Sequence, residues 1–222
     1  MQIITYGCSY TNYIYPTYAD ILALDYAVNN KAFPGSGNER ILYSIMSDYH
    51  SKELLDYDCI IVQWSHENRF NYLNNKNVWL GNGSIFNNDN KHILNKIEKW
   101  YNIDYELQKT IDLTVCIKFL LSSLNKKLYF MTMSDLANLA KNKEINLDFI
   151  NINNLQARYK GGYEFDDVTW KRDDHPTLLE HLEIAQNVAT FFEMDLSKNT
   201  KRRVKQLHNE IINQRVFKKY SL

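Results

Sequence analysis

In the first third of the chain, apolar positions switch between short unbroken runs and runs spaced three and four apart. "QIITY" (2–6) predicts a buried strand ending at Gly7, and the spacing over 12–23 predicts a helix with Tyr18, Ile21 and Leu22 on one face. "DYAVNN" (25–30) reads as a second short strand, and "FPGSGN" as a turn. "ERILYSIMSDYH" (39–50) resumes helical spacing, with Ile41, Leu42, Ile45 and Met46 as its apolar side. "DCIIVQW" (58–64) is apolar and β-branched without alternation, the pattern of a strand covered on both faces. The order β-α-β-α-β predicts a parallel sheet with right-handed crossovers.

Residues 66–91 break this rhythm with a polar, aromatic-studded stretch that is long for a connection. Helical spacing returns over 92–124, "KLYFMTM" (127–133) reads as a fourth strand, and 134–141 as a short helix. Residues 143–170 show no clear period. "PTLLEHLEIAQNVATFF" (176–192) predicts a helix with Pro176 in its first turn. The tail over 198–219 is basic and helical, with Val204, Leu207, Ile211 and Phe217 as an apolar stripe that suits packing on its own domain or on a second subunit. No interdomain linker interrupts the chain. It divides into one domain over 1–196, with an insertion around 66–91, and a C-terminal helix over 197–222.

Composition narrows the classes. The 222 residues are 45% hydrophobic and 23% charged, ordinary for a globular domain. A formal net charge of zero supplies no field for nucleic acid or an acidic membrane. Cys8, Cys59 and Cys116 have neither the number of a disulfide framework nor the spacing of zinc ligands, which fits a reducing compartment. Neither a secretory signal nor a membrane-spanning run is seen, so a cytoplasmic protein is expected.

Three short blocks can carry chemistry. "GCSYT" (7–11) follows the first strand, so its turn projects Ser9 at the carboxyl edge of the sheet, where open α/β sheets bind ligands. The N–H groups of the helix expected next would face the same space. Alone, the block reads as a helix cap. "KRDDHPT" (171–177) sets His175 beside Asp173 and Asp174, a loop histidine that can serve as general base with a carboxylate to orient it. "FPGSGNERI" (33–41) places Gly35 and Gly37 at a turn, where a bare backbone N–H can approach an oxyanion.

In chain order, "GCSYT", "FPGSGNERI", the polar end of the buried strand as a third block, and "KRDDHPT" resemble the four blocks of the SGNH/GDSL hydrolase superfamily, in particular divergent members opening on a "GCSYT"-like motif. The resemblance spans roughly residues 2–192. It implies a three-layer α/β/α sandwich around a parallel sheet, flavodoxin-like in arrangement. It further implies Ser9 as nucleophile and oxyanion donor, Gly35 (or Gly37) as a second donor, and His175 as base with Asp173, or failing it Asp174, as its acid. Cys8 falls where the family has aspartate and is expected to be a buried bystander. The chain departs at the third block, where the family's Gly-x-Asn-Asp is replaced by "QWSHENRF" (63–70). The third oxyanion donor is then sought among Ser65, His66 and Asn68, or from Asn38.

The activity implied is a serine esterase needing no metal or organic cofactor. Its substrate is a small-molecule or glycan ester, a carbohydrate O-acetyl group being a natural choice. Substrate contacts are expected from Trp64 and His66 at the strand end and from Phe70 and Trp79 in the insertion, with Tyr72 and Phe86 nearby. Two alternatives stay open: an SGNH-like binding domain whose catalysis has decayed, and an O-acyltransferase using the same site. A homo-oligomer formed through the C-terminal helix also stays open.

Overall fold

The computed structural model describes residues 1–80, 83–86, 101–134, 136, 152–155, 159, 162–168 and 173–222. Five strands form one sheet: β1 (Gln2–Tyr6), β2 (Ala27–Asn30), β3 (Cys59–Trp64), β6 (Lys127–Thr132) and β7 (Ile152–Asn154). Their order is β2-β1-β3-β6-β7, and every pair is parallel. A small antiparallel hairpin, β4 (Tyr72–Leu73) with β5 (Trp79–Leu80), stands apart from it.

The helices are α1 (Tyr18–Leu22), α2 (Asn38–His50), α3 (Ile103–Ser122), α4 (Leu178–Phe191) and α5 (Lys198–Gln214). They cover the sheet on both faces, and the parity of β3 shows how. Ile60, Val62 and Trp64 pack with Ile41 and Ile45 of α2 and Ile117 and Leu121 of α3. Cys59 and Ile61 point the other way, to Tyr18, Ile21 and Leu22 of α1 and to the apolar faces of α4 and α5. The result is a three-layer α/β/α arrangement. Val204 and Ile211 of α5 are fully buried in the second of these clusters, so the C-terminal stripe packs on this domain. No helix among the described residues is long and apolar enough to cross a membrane.

Several boundaries differ from the periodicity. The helix expected over 12–23 is only α1, because Thr17 and Asp20 form a capping box that starts it at Tyr18. Pro16 ahead of that cap biases Tyr15 away from helix. At α4 the cap is Thr177 with Glu180, so Pro176 lies just outside the helix rather than in its first turn. The tail helix ends at Gln214 against a left-handed Arg215, short of 219. Strand β7 falls in the stretch without period. The short helix expected over 134–141 and the start of the one over 92–124 lie largely outside the described residues; Asn102 caps α3 by accepting from the Tyr105 N–H.

Candidate active site at the carboxyl edge of the sheet

The strand order reverses between β1 and β3, and the turn after β1 opens into the crevice this creates. That turn closes tightly. The N–H groups of Thr11 and Asn12 both donate to the Cys8 carbonyl, at 2.9 and 3.1 Å. Gln63 at the end of β3 binds it from the side, its Oε1 accepting from the Cys8 N–H and the Thr11 hydroxyl at 3.1 Å each. A Cβ on Gly7 would lie 2.3 Å from Thr11 Oγ1 and 2.9 Å from Gln63 Oε1, so only glycine fits there. Cys8 is fully buried, its thiol turned to Gln63 Oε1 at 3.2 Å and Met133 Sδ at 3.4 Å. Ser9 caps no helix, since α1 begins only at Tyr18. The helix dipole expected behind it is therefore missing.

His175 lies over the same turn. Its ring stacks on Tyr13, with centroids 3.8 Å apart at 20°, and the Tyr10 ring is 5.4 Å away. Of the two aspartates, Asp173 holds the imidazole: Oδ1 is 2.6 Å from Nδ1 and also accepts the His175 backbone N–H at 3.2 Å. Asp174 is exposed and contributes only its backbone carbonyl, to the Tyr10 hydroxyl at 3.2 Å.

The Asp173 carboxylate is buried and braced by two further donors. Tyr13 Oη donates to Oδ1 at 3.3 Å and Tyr15 Oη to Oδ2 at 3.0 Å. Burial, then the charge of Asp173, pushes both phenols well above their ordinary pKa, so they remain donors. An ionised carboxylate only accepts, which places the imidazole hydrogen on Nδ1 and the lone pair on Nε2. Nε2 is buried and has no hydrogen-bond partner among the described residues. Ser9 Oγ does not reach it. Instead it accepts from both terminal nitrogens of Arg69, each at 3.4 Å.

The oxyanion candidates separate clearly. Gly35 adopts φ 78°, and neither its N–H nor that of Ser9 has an acceptor among the described residues. Gly37 N–H donates to Asn71 Oδ1 and is spent. Asn38 gives both N–H groups away, to the Ser65 carbonyl at 3.4 Å and Thr110 Oγ1 at 2.9 Å. Its Oδ1 takes the Ser65 N–H at 2.8 Å, while the fully buried Ser65 hydroxyl faces Met133 Sδ at 4.0 Å. Asn38 and Ser65 thus hold each other in the core and have no donor left for an oxyanion. His66 Nδ1 stands 3.8 Å from the Glu67 carboxylate. Asn68 is half-buried and offers its carbonyl to the Ile85 N–H at 2.8 Å.

Trp64 does not line the site. It is fully buried among α2 and α3, as the parity of β3 dictates, and cannot touch a substrate. The aromatics of the insertion spread over separate contacts: Phe70 beside Tyr72 at 5.9 Å, Trp79 against Tyr43 at 5.4 Å, and Phe86 against Tyr101 at 5.8 Å. Phe70 and Trp79 are half-buried, whereas Tyr72 and Phe86 are exposed.

Four residues at or near the site had no role in the sequence reading: Tyr13, Tyr15, Arg69 and His181. His181 on α4 is fully buried beside Tyr15, with neither ring nitrogen hydrogen-bonded among the described residues. Burial first, and then the neighbouring His175, lowers its pKa to about 3. The folded protein therefore binds no proton there between about pH 6.5 and 3, while the unfolded chain does. Stability from this group is present above pH 6.5 and is lost as the pH falls, at about 1.4 kcal/mol per unit. Urea unfolding should then show a loss between pH 7 and 5 that is about 2 kcal/mol smaller in His181→Phe. An equal loss in both proteins would remove His181 as the cause.

Comparison with protein-family models and with curated proteins found no match for the chain.

Proposed function

We propose that the protein is an SGNH-type serine esterase, with Ser9 as nucleophile, His175 as general base and Asp173 as its orienting acid. The observation that carries the reading is the imidazole over the Ser9 turn, clamped through Nδ1 with an unclaimed Nε2 lone pair. Among the described residues Ser9 Oγ only accepts, so its proton is free to go to that nitrogen once Oγ turns. Such catalytic contacts are often long in a free enzyme and tighten around substrate.

In the reaction, Oγ bonds to the ester carbonyl carbon while its proton passes to Nε2. The oxyanion is received by the N–H groups of Ser9 and Gly35, and collapse expels the alcohol, which takes the proton back. Water then attacks the acyl-enzyme by the same route in reverse roles. If a sugar hydroxyl replaces water, the same site is an acyltransferase. The partly exposed rings of Phe70, Tyr72 and Trp79, set among asparagines, suit a glycan face and support an O-acetylated carbohydrate as substrate.

A second reading, a binding domain that has lost catalysis, is favoured by the missing Ser9–His175 bond. A fluorophosphonate separates the two. Wild type should be labelled stoichiometrically, with the mass shift on the peptide containing Ser9, and should hydrolyse p-nitrophenyl acetate. Folded protein that resists the probe and turns over no ester would leave the binding reading standing.

A further inference from the structure

Arg69 is the only side-chain donor within hydrogen-bond distance of Ser9 Oγ among the described residues. Both of its terminal nitrogens straddle that atom, so the guanidinium fork is aimed at the reacting centre. Among the described residues no carboxylate pairs with it. A half-buried cation is thus held beside a nucleophile with no carboxylate paired to it among the described residues, and the reaction itself would generate a negative charge two bonds from Oγ.

Several independent contacts fix the segment that carries it. The Arg69 carbonyl packs so closely on Gly37 that a Cβ there would come within 2.5 Å of it. The Arg69 N–H closes a turn on the His66 carbonyl at 3.1 Å, and Arg69 bridges to Ser84 as a β-pair. Asn71 accepts from Gly37, and the Glu67 carboxylate accepts from the Ser134 hydroxyl beyond β6. Burial would raise the Glu67 carboxyl, but the neighbouring His66 imidazole and hydrogen bonds from Ser134 and the backbone outweigh this and lower it to about 2, so the anchor stays charged. The backbone at Arg69 is positioned without help from its side chain, which is free to serve the site.

We infer that Arg69 is a catalytic residue, the third donor to the oxyanion, taking the place that Asn38 and Ser65 cannot fill. This rests on Ser9 being the nucleophile. When Oγ bonds to the carbonyl carbon, the oxyanion forms on that carbon, within the fork's reach. The two N–H groups then move from a neutral hydroxyl oxygen to a full negative charge, and the interaction strengthens in the transition state. Arginine suits this place because its fork can engage Oγ and the oxyanion together.

The test compares wild type, Arg69→Met, Arg69→Gln and Arg69→Lys on p-nitrophenyl acetate and on the anionic mono-p-nitrophenyl glutarate, with fluorophosphonate labelling rates alongside. Loss of the fork should lower kcat on the neutral ester by roughly 100- to 1000-fold, with KM changed little and labelling slowed in parallel. Arg69→Lys should recover part of the loss. Thermal unfolding identifies any variant that is simply unfolded, and the glutamine and lysine forms remain should methionine not fold. Wild-type rates in folded Arg69→Met and Arg69→Gln would overturn the inference. So would a loss confined to KM or to the anionic ester, which would make Arg69 a substrate-binding group. If wild type itself is unlabelled, the nucleophile assignment fails, and the role of Arg69 falls with it.

Discussion

Ser9→Ala is expected to fold like wild type, lose fluorophosphonate labelling altogether, and lower kcat for p-nitrophenyl acetate by about 10⁶-fold. The fold should survive because the hydroxyl holds nothing together. Its only bonds among the described residues are the two long ones from Arg69. The turn around it is closed by backbone bonds onto the Cys8 carbonyl and by Gln63. A capping serine would behave differently, since its loss removes an acceptor from a helix start and costs about 1 kcal/mol of stability. The nearest cap is Thr17, so that cost does not arise. Cys8 cannot stand in as nucleophile, because its thiol is buried on the far side of the turn against Met133. Unchanged melting with abolished turnover is therefore the expected pair of results, read by differential scanning calorimetry and steady-state kinetics. Turnover that persists in Ser9→Ala would sink the esterase reading.

What the sequence revealed of this molecule follows from how local each feature is. "CIIVQW" was legible as a central strand because burial on both faces leaves a run without alternation, and it forms the middle of the sheet. The β-α-β-α-β order followed from the same runs. β7, by contrast, is only "INN", too short and polar to stand out from its surroundings. Trp64 stands at a polar strand end, which by sequence alone suggests a place in the site. Counting by twos from Ile60 and Val62 sends it instead into the layer of α2 and α3.

The site was legible where its parts lie close in sequence. Asp173 and His175 are two apart, and their contact needs only a local turn. Tyr13 and Tyr15 were hidden because the expected helix over 12–23 would have scattered them. The capping box at Thr17 leaves them in irregular chain, both reaching Asp173. Arg69 was hidden for a different reason. Which donor of "WSHENRF" meets Ser9 depends on the turn from His66 to Arg69 and on the close approach to Gly37. Those are tertiary constraints with no trace in residue spacing.

Asp173→Asn carries the second large effect, and the donors around this carboxylate decide its form. Three of them converge on Oδ1: the imidazole at 2.6 Å, the His175 N–H at 3.2 Å and the Tyr13 hydroxyl at 3.3 Å. Among the described residues only Tyr15 meets Oδ2, at 3.0 Å. An asparagine placed here keeps its oxygen at the three-donor position and turns its amide nitrogen to Tyr15, whose hydroxyl can accept as well as donate. The imidazole tautomer and the buried network are then preserved. What disappears is the negative charge that stabilises the imidazolium once His175 has taken the Ser9 proton. Turnover should fall by roughly 100-fold or more through kcat, with KM and thermal stability close to wild type. Asp173→Ala behaves otherwise, because it strands the Tyr15 hydroxyl and the imidazole N–H in a buried site, at about 1–3 kcal/mol for each unpaired group. Kinetics and calorimetry on the two variants separate charge from architecture. A fully active Asp173→Asn would show that His175 does not pass through an imidazolium that Asp173 stabilises.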